Sequence, residues 1–198
     1  MNRFFLTIGL SILVSFLSCA SVKNEVTKPE PTHIIDTLKT TTVDGIDFEF
    51  AGAKHENGIL TVTLNATSNN KDRVIAIFKD NYNKKEAVIK YYVGYKEHNK
   101  RMRVALIDDK GNEFTPETIM IGNNKVERNS GDYGSIFNLC KNTLYDGTKT
   151  KIEFTFKVEK EISLISLITF DFYRGQYIRD KSPELIFNVK LRNLKLLK

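Results

Sequence analysis

The chain has 198 residues, 41% hydrophobic and 27% charged, with a formal charge of +6. That composition supplies one core of ordinary size and excludes a disordered chain, a collagen-like repeat and a multi-span membrane protein. With only 2 Cys, 4 Pro and 11 Gly it is neither a disulfide scaffold nor a low-complexity linker, and without Trp it lacks the Cys, Trp, Cys signature of antibody-type domains.

At the start, one cation, Arg3, precedes an apolar run from Phe4 to Ser18 that ends at Cys19. The run suits a secretory leader and falls short of the ~20 residues of a membrane span, so residues 1–18 are predicted to be a signal peptide. Phe16-Leu17-Ser18-Cys19 resembles the lipobox of bacterial lipoproteins, although Phe16 stands where Leu is commoner. The resemblance implies that Cys19 is lipidated, with acyl chains such as palmitate, and becomes the first residue of the mature chain. A signal peptide cut near Ser18 or Ala20, with Cys19 incidental, is the alternative. Each buried methylene contributes ~0.8 kcal/mol, so two or three acyl chains hold a domain at the membrane without a spanning helix. In the lipoproteins that this leader resembles, an Asp after the Cys favours retention at the inner membrane. Ala20 stands there, which implies an outer-membrane anchor facing the periplasm, with surface exposure left open. With Cys19 consumed, Cys140 is alone and no intramolecular disulfide is expected.

Residues 19–42 read as a lipidated flexible tether, polar throughout, with Lys28-Pro29-Glu30-Pro31 near the middle. From Ala20 to Thr42, fully extended at ~3.3 Å per residue, it would reach roughly 70 Å. His33-Ile34-Ile35-Asp36 is also compatible with an early edge strand. From Val43 the apolar residues recur at every second position, so residues 43–198 are predicted to form one all-β domain of two packed antiparallel sheets. Ile46, Phe48 and Phe50 alternate with Asp47 and Glu49; after the Asn57-Gly58 turn, Leu60, Val62, Leu64 and Ala66 share one face. Val74 to Phe78 is a short buried strand, Ala87 to Tyr95 is β-rich, and Met102, Val104 and Leu106 lead to a turn at Asp108 to Asn112. Ile152, Phe154, Phe156 and Val158 define a strand, Ile162 to Phe172 another, and Leu185, Phe187, Val189 and Leu191 the last.

Three pieces in this order carry a resemblance: Leu60 to Asp72, an alternating strand and polar turn; Val104 to Phe114, a hairpin with a D-x-x-G turn; and Lys151 to Val158, preceded by Asp146-Gly147. Between about Val43 and Leu191 the chain resembles the telokin-like, immunoglobulin-like extracellular domain labelled DUF4352. The resemblance implies an immunoglobulin-like β-sandwich acting as a binding or structural envelope module, with no catalytic residues to carry over. Two stretches depart from it: Asn81 to Arg101 is longer and more basic than a strand connection requires, and Tyr173 to Pro183 is a long late loop.

Few residues form a pattern that performs chemistry. His33, His55 and His98 lack the spacing of a zinc site. Asp108, Asp109, Asn112 and Glu113 crowd oxygens around Gly111, which invites calcium, but a hairpin turn explains them without the ordered ligand pattern of a calcium loop. Ser130 to Ser135 contains neither G-x-S-x-G nor a phosphate-binding loop. The pairs Asp108 with Asp109 and Glu159 with Glu161 read as turn and strand-end residues, and Cys140 as a buried small hydrophobe. No metal, cofactor or catalytic set is expected.

The basic stretch is the more informative feature. Lys90, Tyr91, Tyr92, Tyr95, Lys96, Lys100, Arg101 and Arg103 interleave aromatics with cations and form the candidate contact surface. The alternative is a solvated strand face with Tyr covering the sheet. An exported protein does not ordinarily meet nucleic acid, so the anions open to it are lipid headgroups, an acidic glycan or an acidic protein. The expectation is a membrane-anchored envelope lipoprotein, not an enzyme, that binds or supports a protein or glycan partner. The rival is a hydrolase or other enzyme acting on envelope polymers through a site assembled from loops.

Overall fold

A computed structural model of the chain describes residues 37–81, 87–93, 96–130, 136–175 and 185–196. The predicted signal peptide, Cys19, most of the predicted tether, Tyr95 and His33 lie outside the described residues. Short turns that require positive φ, followed by strict alternation, build the first sheet. β1 (Thr40–Val43) and β2 (Ile46–Glu56) are joined by Asp44-Gly45, with φ of 52° and 68°. That is the two-residue turn whose twist matches a β-hairpin. Asn57-Gly58, with φ of 51° and 76°, repeats it between β2 and β3 (Ile59–Ser68), where the sequence places a turn. Leu60, Val62, Leu64 and Ala66 are fully buried, as their spacing predicts. β13 (Lys149–Lys157) pairs antiparallel with β3 and buries Ile152, Phe154 and Phe156 on the same side. β9 (Pro116–Ile121) and β10 (Asn124–Lys125) complete a six-stranded sheet of order β1-β2-β3-β13-β9-β10.

The second sheet is organised around β14 (Leu164–Arg174). β15 (Ile186–Lys195) pairs with one edge of it. The other edge is shared end to end by β7 (Val104–Asp108) and β4 (Arg73–Asn81). β12 (Ile136–Leu144) and β11 (Glu127–Ser130) extend the sheet beyond β4, and β8 (Glu113–Phe114) beyond β7. Every residue of β14 from Ile168 to Tyr173 is buried. A strand paired at both edges and covered on both faces needs such a nearly continuous apolar run. The orders β2-β3-β13-β9 and β4-β14-β15 are those of the ABED and CFG sheets of an immunoglobulin-type sandwich.

Aromatic rings join the two layers. Phe48 of β2 meets Phe170 edge-on at 5.5 Å between ring centres and Phe172 at 5.6 Å, while Phe154 of β13 lies 5.1 Å from Phe170. Both lateral sides are stitched by polar bonds. Leu38 and Arg192 exchange backbone hydrogen bonds of 3.1 Å beside β1 and β15. On the other side Asn124 Nδ2 donates to the Lys141 carbonyl and Asn142 Nδ2 to that of Ile121, both at 2.7 Å. The folded body therefore includes Leu38 and Thr40 to Thr42, upstream of the boundary expected at Val43. The tether's last residues pair with strands, which polarity alone did not disclose.

A partly buried ionic group holds the Asp44-Gly45 turn against the second sheet. Arg174 Nη1 lies 2.6 Å from Asp44 Oδ1, and Arg73 Nε lies 3.9 Å from Asp44 Oδ2. Arg73 Nη1 also donates to Ser68 Oγ (2.7 Å) and the Asn69 carbonyl (2.9 Å). A Cβ on Gly45 would stand 2.6 Å from Arg73 Nη2, so glycine serves there both the positive φ and the approach of the guanidinium.

The last strand also departs from simple alternation. Asn193 adopts φ of 54° and shifts the phase, so Leu191 and Leu194, three positions apart, are both buried. Leu185 and Phe187 are only partly buried.

Candidate functional site

The basic segment is set in place by a break in one strand line. Along β14, Phe172 pairs with Ile77 of β4, and Phe170 pairs with Val104 of β7. Between them the Asp171 N–H donates to the Arg103 carbonyl (3.0 Å), and the Arg103 N–H donates to Asp171 Oδ2 (3.1 Å). Asn188 Nδ2 donates to Asp171 Oδ1 (2.8 Å) and Thr169 Oγ1 (3.0 Å), so this buried carboxylate is satisfied at both oxygens. Residues Phe78 to Met102 thus leave a line that Arg103 resumes. β4 stays with β12 beyond Ile77, and Ala76, Phe78, Met102, Leu139, Tyr173 and Ile186 form a second apolar cluster at the root of the excursion.

The excursion itself is a hairpin. β5 (Ala87–Val93) pairs antiparallel with β6 (Lys96–Met102) in a two-stranded sheet separate from the sandwich. The stretch from Ala87 to Tyr95, β-rich in composition, is strand over Ala87–Val93. Lys90, Tyr91 and Tyr92 lie on β5; Lys96, Lys100 and Arg101 lie on β6. Tyr91 is opposite His98, Ile89 opposite Lys100, Val88 opposite Arg101 and Val93 opposite Lys96. Arg103 stands at the root, its Nη1 3.5 Å from the Glu113 carboxylate, both half exposed.

Period two divides the candidate residues between two faces. Val88, Lys90 and Tyr92 share the face of exposed Arg101; Ile89, Tyr91 and Val93 share that of Lys96, Lys100 and buried Met102. The fold brings the segment into one ribbon without gathering its cations on one side. The root carboxylate, Asp171, went unnoticed in the sequence, though a lone Asp inside Ile168-Thr169-Phe170-Asp171-Phe172-Tyr173 is the signal of a satisfied buried acid.

The other candidates have structural partners. Asp108 Oδ1 accepts from the N–H groups of Lys110 (2.9 Å) and Asn112 (2.8 Å), and Oδ2 accepts from Asn112 Nδ2 (2.8 Å). Burial works to raise its pKa, but these hydrogen bonds together outweigh it and hold the carboxyl below its ordinary value. Gly111 has φ of 81°, as the turn requires. His55 Nε2 donates to the Val158 carbonyl at 2.7 Å, which places the proton on that nitrogen. His98 lies on β6, and Glu159 pairs with Lys157 at 3.7 Å in an exposed contact. Two open clefts occupy the sandwich end near β7 and the loop after β13. One of about 410 Å3 is lined by Asp108, Lys110, Phe114, Lys157, Lys160 and Ile162. Another of about 360 Å3 takes in His55, Glu56, Glu161 and Ser163. Among the described residues no group of three or more His, Cys, Asp or Glu could hold a metal ion.

Cys140 is fully buried on β12 and its Sγ lies 3.2 Å from the Asn124 carbonyl. Burial pushes its pKa up to about 11, with the Glu127 charge adding to the rise. At pH 8 the thiolate fraction of such a thiol is on the order of 0.1%, against roughly a quarter for a free cysteine. A Cys19→Ala protein is therefore expected to leave its one remaining thiol unmodified by Ellman's reagent in the native state and to titrate one thiol per chain in guanidinium. Native labelling at the denatured rate would contradict the burial.

No family model matches the chain, and a search of the curated proteins finds no match.

Proposed function

We propose that this chain is a lipid-anchored lipoprotein of a bacterial envelope whose β-sandwich presents a non-catalytic binding module to an envelope protein or glycan. The reading is carried by the hairpin of β5 and β6, which forms a two-stranded sheet of its own and carries Lys90, Tyr91 and Tyr92 on one strand and Lys96, Lys100 and Arg101 on the other. The leader ending in Cys19 supports the anchor, and Ala20 supports the outer membrane. Among the described residues no helix is long and apolar enough to cross a membrane.

The enzymatic reading rests on the cleft that holds His55 with Glu56 and Glu161. It is the weaker one, because the described hydrogen bond of His55 goes to the Val158 carbonyl and, among the described residues, none links the ring to a carboxylate or hydroxyl that would complete a catalytic set.

In-cell crosslinking followed by mass spectrometry tests the proposal. The anchored protein is expected to capture one envelope component reproducibly through lysines of the hairpin. Cys19→Ala should reduce that capture, and a Lys96→Glu, Lys100→Glu, Arg101→Glu variant should lose it while its unfolding midpoint is unchanged. Capture that survives the triple reversal would remove the hairpin as the contact. A His55→Ala variant that blocks turnover of an envelope polymer would move the function to the cleft.

A further inference from the structure

We propose that the outer edge of β5 accepts an extended, acidic segment of a partner protein as an added strand. This rests on the binding-module reading and gives its partner a chemical class. β5 is paired on one side, by β6, and among the described residues no strand pairs with its other edge. An open edge presents a row of amide N–H and carbonyl groups that folds normally guard. The sandwich guards its own lateral sides, by the Leu38–Arg192 bonds on one and by Asn124 and Asn142 on the other.

The two strands of the hairpin differ in the same respect. β6 reads Lys96-Glu97-His98-Asn99-Lys100-Arg101 before Met102, the charged composition of a protected edge. β5 reads Ala87-Val88-Ile89-Lys90-Tyr91-Tyr92-Val93, rich in β-branched and aromatic residues, with one charge and no proline. That is the composition that receives a strand. Four cations against Glu97 alone then select an acidic strand.

The same register disfavours two other occupants. A second copy fully overlapped and antiparallel along β5 would set Lys90 opposite its own counterpart, and directly opposed like charges are destabilising. A bilayer needs one apolar face, whereas both faces of this ribbon mix apolar residues with cations.

The test uses the full mature lipoprotein in detergent and fluorescein-labelled heptapeptides followed by anisotropy. A peptide alternating Val and Glu is expected to bind at least about tenfold tighter than one alternating Val and Lys, a difference of ~1.4 kcal/mol. N-methylation of alternate amides in one of the two possible frames should abolish binding and in the other leave it, because only one edge of the added strand bonds to β5. Lys90→Glu should weaken the acidic peptide about tenfold with no change in unfolding midpoint. Equal binding of both N-methylated frames, or no binding of any peptide, overturns strand addition. So does binding confined to phosphatidylglycerol vesicles, or a dimer by sedimentation that Lys90→Val strengthens. Crosslinking of a protein through the hairpin lysines, with no peptide bound, would retain the binding module and reject the added strand.

Discussion

Truncating Phe170 to alanine is expected to lower the unfolding free energy by about 3–5 kcal/mol, the range for a fully buried phenylalanine. The ring is inaccessible to solvent and packs against Phe48 and Phe154 of the opposite sheet. Its own strand is paired at that position to Val189 of β15 and Val104 of β7, so neither neighbour can move in to fill the space. Against a typical total of about 5–15 kcal/mol the variant would sit near the edge of folding. Urea unfolding followed by circular dichroism should show a lower midpoint with an unchanged slope. Leu38→Ala, at a side chain 40% exposed, is the control and should cost less than about 1 kcal/mol. Similar midpoints for the two variants would mean that Phe170 does not bridge the sheets.

Asp44→Ala is expected to cost about 3 kcal/mol, the low end for breaking a buried ion pair, because it removes the counter-charge of two largely sequestered guanidinium groups. Arg73 Nε and Asp44 Oδ2 are sealed from solvent and have no hydrogen-bond partner among the described residues, so the charge opposite is what compensates each. Arg174 loses a 2.6 Å contact but keeps its position 5.4 Å above the Phe187 ring and is partly exposed, which limits its share of the loss. The substitution also places a Cβ-bearing residue without a local hydrogen-bonding group at φ of 52°, a cost of roughly 1–2 kcal/mol. Asp44→Asn separates the two effects, since asparagine tolerates the left-handed region while removing the charge. The expected order of midpoints is wild type, then Asp44→Asn, then Asp44→Ala. If asparagine is as stable as wild type, the ionic contacts contribute nothing and the turn conformation carries the whole effect.

Local chemistry made a large part of this fold legible. The inner faces of β3 and β13 follow from alternation, and the Asn57-Gly58 and Asp108 to Asn112 turns from residue types that adopt positive φ or cap their own backbone. The short strands β10 and β11 were not legible, having two and four residues, too few for a period to register. The phase shift at Asn193 also escaped, since a single residue at φ of 54° breaks the alternation from which a face is read. Arg73 and Arg174 look like any surface cations until the fold brings them to Asp44.

For the candidate site the division is different. The clustering of aromatics and cations between Lys90 and Arg103 is a property of composition, and so is the case for a leader and anchor at Cys19. Where the basic segment sits depends on partners remote in sequence: Asp171 and Asn188 hold its root, and the transfer of β14 from Ile77 to Val104 makes it an excursion from a single strand line. The sequence by itself determined the class of the domain, because alternation and turn chemistry act between near neighbours. Tertiary structure alone decided that β5 and β6 leave the sandwich as a ribbon with cations on both faces. Edges, registers and buried charge pairs are set by contacts between distant residues, which no local period encodes.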